Sequence, residues 1–272
     1  MRGNWLSSAF CAAALLPALA WAEDWVPIDP ENLLYLDLAH GTAIIELQPT
    51  IAPATVARIK KLTRAGFYNG LTFHRVIDGF MAQGGDPAGT GEGGSKEPDL
   101  VAEFTFHRAP SAPAFAQSNA AESIGVSGGA IVLTEPETAQ YTHPDGMLQS
   151  WMPFCRGVAA MARTDQPNTA NSQFFIMFSN NYRNLDRAYT AWGRVVLGMD
   201  AVDNLARGEP PGHPDKIIRA RIGSDVPPAE RKALEEPAPG SQTMRDIFKA
   251  ASNAQADPCS VQVPVRAQGG GH

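Results

Sequence analysis

The chain has 272 residues, which is enough for one large domain or two small ones. With 44% hydrophobic and 18% charged residues, its composition is that of an ordinary globular protein with a buried core. The formal net charge of −6 gives no electrostatic reason to expect a nucleic acid partner.

The first 22 residues have the pattern of a secretory signal peptide. Arg2 precedes an apolar run, and Ala20-Trp21-Ala22 supplies small residues before a cleavage site. The run is short and contains Pro17, so it is a poor membrane-spanning helix, although an uncleaved anchor is the alternative. We therefore expect cleavage near Ala22 and export to the periplasm or the medium, without stable membrane insertion.

Two cysteines, Cys155 and Cys259, lie beyond the signal segment. An exported compartment would permit a disulfide between them, but the spacing does not establish one, and two free thiols are an equal alternative. Neither cysteine has an adjacent histidine or a CxxC partner, and the histidines share no spacing typical of metal ligands. The sequence thus predicts neither a metal site nor a cofactor.

The segments that follow predict a β-rich domain with two helices. Alternating or continuous short apolar runs indicate strands, and an apolar repeat of about 3.6 residues indicates helices. Pro53 and Gly66 mark the start and end of the first helix. One domain spanning about 31–222 accommodates all of these elements. The predicted strands are 33–38, 42–48, the hairpin within 73–86, 157–163, 172–178, 189–196 and 217–222, and the predicted helices are 53–66 and 199–206.

Two parts of the chain lack this regularity. Residues 107–154 contain several Pro, Ser, Gly and Ala residues, and they predict a long irregular insertion. It is either a substrate-selecting flap or a tolerated surface excursion. Residues 224–272 predict a mostly irregular C-terminal tail, with one possible helix near 243–251.

The hairpin sequence FHRVIDGFMAQGGD contains an arginine among apolar side chains. A two-residue turn would place Arg75 opposite Ala82. A three-residue turn places it opposite Gln83 and Ile77 opposite Met81. Because side chains alternate along a strand, the second register gathers Arg75 and Gln83 on one face with those two apolar residues. A face with an apolar floor, one cation and one amide is typical of a binding surface.

Three separated blocks of the sequence follow the order of a known family's motifs. They are the hairpin followed by GTGEGG, then MARTDQPNTANSQFFI at 161–176, then LDRAYTAWGRVVLGMD at 185–200. Together they resemble the core motifs of the cyclophilin-type peptidyl-prolyl cis-trans isomerases over about 31–222, apart from the insertion. The resemblance implies an all-β fold: a closed antiparallel eight-stranded barrel capped by two helices, here with the long irregular insertion.

The resemblance also implies a substrate site. Arg75 matches the family's catalytic arginine. By alternation along the strand, Phe174 is expected in the core and Phe175 in the site. The matching substrate positions are Phe80, Met81, Phe175 and Leu185 for the proline pocket, Gln83 for the peptide backbone, Ala162 and Arg163 for the peptide groove, and Tyr189 where many members carry histidine.

These residue types fit prolyl isomerisation. Rotation about a prolyl amide faces a barrier of about 18–20 kcal/mol because the C–N bond has partial double-bond character. A guanidinium near the proline nitrogen stabilises the twisted state more than the planar one, and no nucleophile is required. The implied function is acceleration of X-Pro rotation in unfolded or folding exported proteins by a monomer. The alternative is a binding module or chaperone for proline-containing segments without turnover.

Two positions depart from the family pattern. Asn184 occupies the place where animal members carry the tryptophan associated with cyclosporin binding, so we predict weak inhibition by that drug. Arg163 replaces a residue that is usually Asn, and one extra residue follows it around Asp165-Gln166. The second departure is expected to change how the peptide is held.

Overall fold

The computed structural model describes residues 24–111, 114–119, 122–254 and 257–268. The predicted signal peptide, residues 1–22, lies outside these ranges. None of the described helices combines the length and apolar character needed to span a bilayer. The elements in chain order are β1 (Trp25–Pro27), β2 (Leu33–Leu38), β3 (Gly41–Leu47), α1 (Pro53–Arg64), β4 (Phe73–Ile77), β5 (Met81–Gly84), β6 (Phe106–Arg108), β7 (Ala114–Asn119), β8 (Glu122–Ser127), β9 (Ala130–Thr134), β10 (Leu148–Trp151), β11 (Val158–Met161), β12 (Phe174–Met177), β13 (Ala191–Leu197), α2 (Met199–Asp203), β14 (Arg219–Ile222), β15 (Leu234–Pro237), α3 (Gln242–Ala254) and β16 (Arg266–Ala267).

An antiparallel sheet of eight strands, in the order β14-β2-β3-β13-β11-β12-β5-β4, forms the main body. It curls around a core that includes Val56, Ile59 and Leu62 of α1. These three positions are buried because they repeat at helical spacing on one face. The all-β prediction with eight antiparallel strands and few helices is confirmed.

The predicted closure of the barrel is wrong. Within the described ranges, the edge strands β14 and β4 share no ladder, and this side of the sheet carries only isolated bridges such as Thr72–Lys216 and Val76–Gly208. The physical reason is that the irregular segment before β14 runs beside β4. Its backbone exchanges hydrogen bonds there, for example from Phe73 to the carbonyl of Asp215 at 2.9 Å.

Helix α1 starts at Pro53, as the sequence predicted, but its N-terminal amides find a distant partner. The carboxylate of Glu103 accepts hydrogen bonds from the backbone N–H groups of Ala54 and Thr55 at 2.9 and 2.8 Å. These donors have no intrahelical acceptor, so a carboxylate at this end is favourable for both hydrogen bonding and the helix dipole. The helix ends at Arg64, two residues before the predicted end at Gly66.

The prediction of a long irregular insertion is wrong. Strands β6 to β10 form a separate five-stranded sheet, in the order β6-β10-β9-β8-β7. The middle strand β9 has the sequence AIVLT, and both of its faces are covered. Ala130 and Val132 pack in a cluster with Met81 of the hairpin, while Leu133 packs in a second cluster with Trp151. A strand buried on both faces shows no polar alternation, and for this reason its pattern was missed.

In the tail, the possible helix predicted near 243–251 is present as α3, whereas the strands β15 and β16 and the packing of this segment were not predicted. Strand β15 pairs with β1 and β16, and helix α3 follows it. Met244, Phe248 and Ala251 on one face of α3 are buried. They pack with residues of the insertion sheet and of the segment 258–265, including Val126 and Val263. The insertion and the tail therefore supply two halves of one apolar core, which neither segment reveals alone.

A disulfide joins Cys155 to Cys259, with the two Cα atoms 5.2 Å apart and 104 residues apart in sequence. The structure thus decides between the two alternatives that the sequence left open. The bond attaches the tail to the chain just before β11, on the main sheet.

Candidate active site

The hairpin β4–β5 has the predicted three-residue turn. Arg75 pairs with Gln83, and Ile77 pairs with Met81. Gly79 occupies the turn with φ of 66°, a backbone conformation that costs glycine little. The register therefore places the cation and the amide next to each other above an apolar floor, as predicted.

One cavity of about 130 Å³ collects the side chains that the sequence predicted for the substrate site. They come from the β4–β5 hairpin, the end of β11, strand β12 and the segment before β13, which lie side by side because these five strands are consecutive in the main sheet. A buried apolar cluster that includes Phe154, Met177 and Val132 lies behind the cavity, so the insertion sheet supports its floor. The residues that line the cavity are Arg75, Phe80, Met81, Gln83, Ala162, Arg163, Phe175, Leu185 and Tyr189.

The two adjacent phenylalanines of β12 point to opposite sides of the sheet. Phe174 lies in the main core, edge-to-face with Trp192 at 5.9 Å between ring centroids. Phe175 lines the cavity and meets Tyr189 edge-to-face at 5.8 Å. The predicted assignment of one ring to the core and one to the cavity is confirmed.

The guanidinium of Arg75 has a carboxylate partner outside the cavity lining. Its Nε donates to Oε2 of Glu209 at 2.7 Å, and its Nη1 lies 3.5 Å from Oε1 of Gln83. Glu209 follows Gly208, which forms a two-way backbone bridge with Val76 at 2.8 Å in each direction. With Nε occupied, the terminal nitrogens remain for the cavity side of the group.

Gln83 is oriented by a chain of amide contacts. Its Nε2 donates to Oε1 of Gln173 at 2.9 Å, and Nε2 of Gln173 donates to the carbonyls of Gly91 and Gly93 at 2.8 and 2.7 Å. Those glycines belong to the GTGEGG loop, which is folded around one buried carboxylate, Asp86. The loop thus sets the direction of the Gln83 amide at the cavity.

Asp86 accepts backbone hydrogen bonds from Ala88, Thr90 and Gly91 at 2.8, 2.8 and 2.7 Å. Burial alone would raise the pKa of Asp86, but these hydrogen bonds outweigh it and the pKa is lowered. The carboxylate therefore stays charged at neutral pH and keeps the loop in shape.

His74 does not line the cavity. It occupies the irregular position in the β4–β5 ladder between Phe73 and Arg75, and its side chain is buried. Burial lowers the pKa of His74, so the ring is neutral at pH 7. Because the ring is buried and does not line the cavity, it is not placed to exchange a proton with a ligand there.

Sequence reasoning missed Glu209 and Gln173. Glu209 lies 134 residues beyond Arg75, in a loop whose position depends on the bridge to β4. Gln173 stands inside the second motif block, directly before the two phenylalanines. Because Phe174 is expected in the core, strand alternation places Gln173 on the opposite face, and this was the available signal.

Comparisons with known proteins agree with this geometry. The family model for cyclophilin-type peptidyl-prolyl cis-trans isomerase/CLD matches residues 33–222. A probable peptidyl-prolyl cis-trans isomerase of Brucella suis biovar 1 (strain 1330) is 38% identical over 240 residues, covering 82% of this chain and 99% of the relative. The crystal structure of cyclophilin AquaCyp293 from Hirschia baltica is 36% identical, with a TM-score of 0.80 over 89% of this chain and 92% of that one.

A more distant structure supports the fold alone. A Cryptosporidium parvum cyclophilin-type isomerase, crystallised in the presence of the dipeptide Ala-Pro, is 23% identical, with a TM-score of 0.50 over 70% of this chain and 98% of that one. The fold and the composition of the cavity define a cyclophilin. The chain belongs to the cyclophilin-type peptidyl-prolyl cis-trans isomerase family and is a peptidyl-prolyl cis-trans isomerase.

Proposed function

We propose that the protein accelerates rotation of X-Pro bonds in unfolded or folding exported proteins, with Arg75 stabilising the twisted amide above the apolar cavity. The observation that carries the proposal is the single cavity shared by Arg75, Gln83 and the rings of Phe80 and Phe175. Its volume of about 130 Å³ suits a proline ring.

The twisted amide loses its resonance, and the proline nitrogen becomes pyramidal with an exposed lone pair. A guanidinium fixed beside the cavity donates to that lone pair more strongly than to the planar amide nitrogen. This preference for the transition state lowers the barrier without a covalent intermediate. Gln83, held by Gln173, fixes the adjacent peptide so that the rotation occurs at the arginine.

We further propose that residues 31–222 form the isomerase domain, that 224–272 is an appended segment, and that the signal pattern of residues 1–22 directs export, with the folded protein acting as a monomer. The disulfide between Cys155 and Cys259 supports an oxidising compartment. The proposed ligands are proline-containing peptides, in line with the Ala-Pro dipeptide used with the Cryptosporidium parvum relative.

The test is exchange NMR on an Ala-Pro peptide with and without catalytic amounts of purified protein. We expect faster cis-trans exchange in proportion to protein concentration. Binding of the peptide with no change in exchange rate would favour the alternative, a proline-segment binding module or chaperone. Neither binding nor acceleration would reject the site.

A further inference from the structure

Arg163 is a second guanidinium at the cavity, and its surroundings differ from those of Arg75. It lines the proline cavity and also the adjoining groove, which includes Ser95, Asp99 and Asn171. In contrast to Arg75, it makes no ion pair with any carboxylate in the described ranges. Among the described residues, the site therefore presents one cation paired with a carboxylate and one cation without a carboxylate partner.

Four contacts fix the position of Arg163. Its Nε donates to the carbonyl of Ala188 at 3.0 Å, and its Nη1 donates to the carbonyl of Thr164 at 2.7 Å. Its guanidinium carbon also lies 4.4 Å from the ring centroid of Tyr189 and 5.5 Å from that of Phe104. Aromatic rings attract a guanidinium but do not cancel its charge, so the group is held in place with hydrogen-bond donors left over.

An immobilised cation with free donors recognises a carboxylate well, because the ordering cost has been met before the ligand arrives. Tyr189 lines the same cavity as Phe175 and Leu185, so the cation lies next to the place of the proline ring. An extended peptide advances about 3.3 Å per residue, and a carboxylate that reaches Arg163 must therefore lie within about two residues of the proline.

The other charges of the groove restrict this preference to one place. Glu92 and Asp99 also line the groove, and Asp99 accepts a hydrogen bond from Nδ2 of Asn171 at 2.9 Å. These carboxylates repel acidic side chains elsewhere along the groove. Only an acid placed directly at Arg163 gains from the site.

We propose that Arg163 makes this isomerase selective for prolines with an aspartate or glutamate at one position within two residues. The inference rests on the proposed function, because it concerns the substrates of the same cavity. In this proposal the charge of Arg163 selects the substrate, and Arg75 makes the contact that accelerates the rotation.

The test uses exchange NMR on peptides that are identical except for Glu, Gln or Lys at one of four positions: two before, one before, one after and two after the proline. Uncatalysed rates are subtracted for each peptide. At one position we expect kcat/KM for Glu to exceed that for Gln by roughly twofold to fivefold, and Lys to be the poorest. The preference should weaken as ionic strength rises.

Variants separate charge from structure. Arg163→Gln should reduce the Glu-to-Gln ratio to about one, Arg163→Lys should keep part of it, and Arg163→Glu should favour the Lys peptide. The matched control is Arg207→Gln, which removes an arginine that also lies over a ring, Phe178 at 4.5 Å, but is already paired with Asp78. That variant should keep the wild-type preference.

Equal rates for Glu and Gln peptides at all four positions, or a preference that persists in Arg163→Gln, would overturn the inference while leaving the isomerase intact. No acceleration of any peptide by the wild-type protein would reject the proposed function, and the inference with it. The two failures are therefore distinguishable in one data set.

Discussion

Glu209 accepts a hydrogen bond of 2.7 Å from Nε of Arg75, across 134 residues of sequence. The contact is produced by backbone pairing. Val76 and Gly208 bridge the hairpin to the loop, and this bridge brings the adjacent residues Arg75 and Glu209 into contact. Gly208 has φ of 147°, and a side chain there would collide with Pro211. The loop thus sets the angle at which the arginine meets the cavity.

Loss of this carboxylate should lower turnover. For Glu209→Ala we expect kcat to fall about fivefold, which corresponds to about 1 kcal/mol of transition-state stabilisation, with little change in KM. Glu209→Asp should recover part of the loss. The measurement is exchange NMR at varied peptide concentration.

Asp78→Asn is the matched control for Glu209→Ala. Asp78 lies on the same hairpin as Arg75, and its carboxylate forms an exposed ion pair with Arg207. It should leave kcat unchanged. If Glu209→Ala also turned over at the wild-type rate, the positioning role would be refuted.

Removal of Arg75 should abolish most of the acceleration. Arg75→Ala is expected to lower kcat/KM by about 10²–10³, in line with the loss of one preorganised donor. The melting temperature should change little, because the ion pair with Glu209 is exposed and such pairs contribute little to stability. Equal rates for mutant and wild type would show that the chemistry lies elsewhere.

Gln173 should affect substrate binding through Gln83. Gln173→Leu removes the acceptor of the 2.9 Å hydrogen bond from Gln83 and the two donations to the glycine loop. We expect KM to rise about fivefold with kcat nearly constant, since a net hydrogen bond contributes about 1 kcal/mol. Gln140→Leu in the insertion is the control, and a change in kcat alone would contradict the expectation.

The disulfide should stabilise the folded state. The double variant Cys155→Ser/Cys259→Ser removes a link between residues 104 apart, and we expect the free energy of unfolding to fall by about 2–4 kcal/mol. Urea denaturation with and without reductant measures it. Neither cysteine lines the proline cavity, so isomerase activity per folded molecule should persist. An unchanged denaturation midpoint would mean that the tail is attached by packing alone.

A buried charge cluster should make stability depend on pH. Arg194 lies between Glu46 at 2.8 Å and Glu236 at 3.2 Å, and Arg194 Nη1 also donates to the carbonyl of Val263. Burial, followed by the charge of Glu46, raises the pKa of Glu236 from 4.5 to about 7. A raised carboxyl pKa contributes stability that is complete below the unfolded value and is lost as pH rises through the folded one.

The free energy of unfolding of the wild type should thus contain a component that decreases between about pH 4.5 and pH 7. Glu236→Gln should lack that component, so the difference between the pH profiles of the two proteins measures it. Parallel pH profiles for both proteins would contradict the assignment. Glu235→Gln on the same strand, paired with Arg266, is a useful comparison.

Parts of the site could be predicted because local rules decide them. Turn length alone sets the pairing of Arg75 with Gln83, and strand alternation alone sends Phe174 and Phe175 to opposite faces. The resemblance to the cyclophilin-type family then supplied the partners of the hairpin. Those partners, from Ala162 to Tyr189, lie around one cavity as expected.

Other parts depended on contacts that no local pattern encodes. In the sequence, strand β9 is an apolar run without a distinctive pattern. In the structure, Ala130 and Val132 pack in the cluster that contains Met81 of the hairpin, and Leu133 packs in the cluster that contains Trp151. Helix α3 has an apolar period that is visible in the sequence, but no local pattern identified the surface that it covers. The second core exists only when the insertion and the tail come together.

By itself, the sequence determined the hairpin register and the positions of the main-sheet strands and of the first two helices along the chain, because periodicity and turn chemistry act over a few residues. The residues at the cavity came from the resemblance to the family. Only the tertiary structure decided the carboxylate on Arg75, the lack of a carboxylate partner for Arg163 among the described residues, and the pairing of Cys155 with Cys259. Those features join positions tens to more than a hundred residues apart, and their free energies depend on which surfaces the folded chain brings into contact.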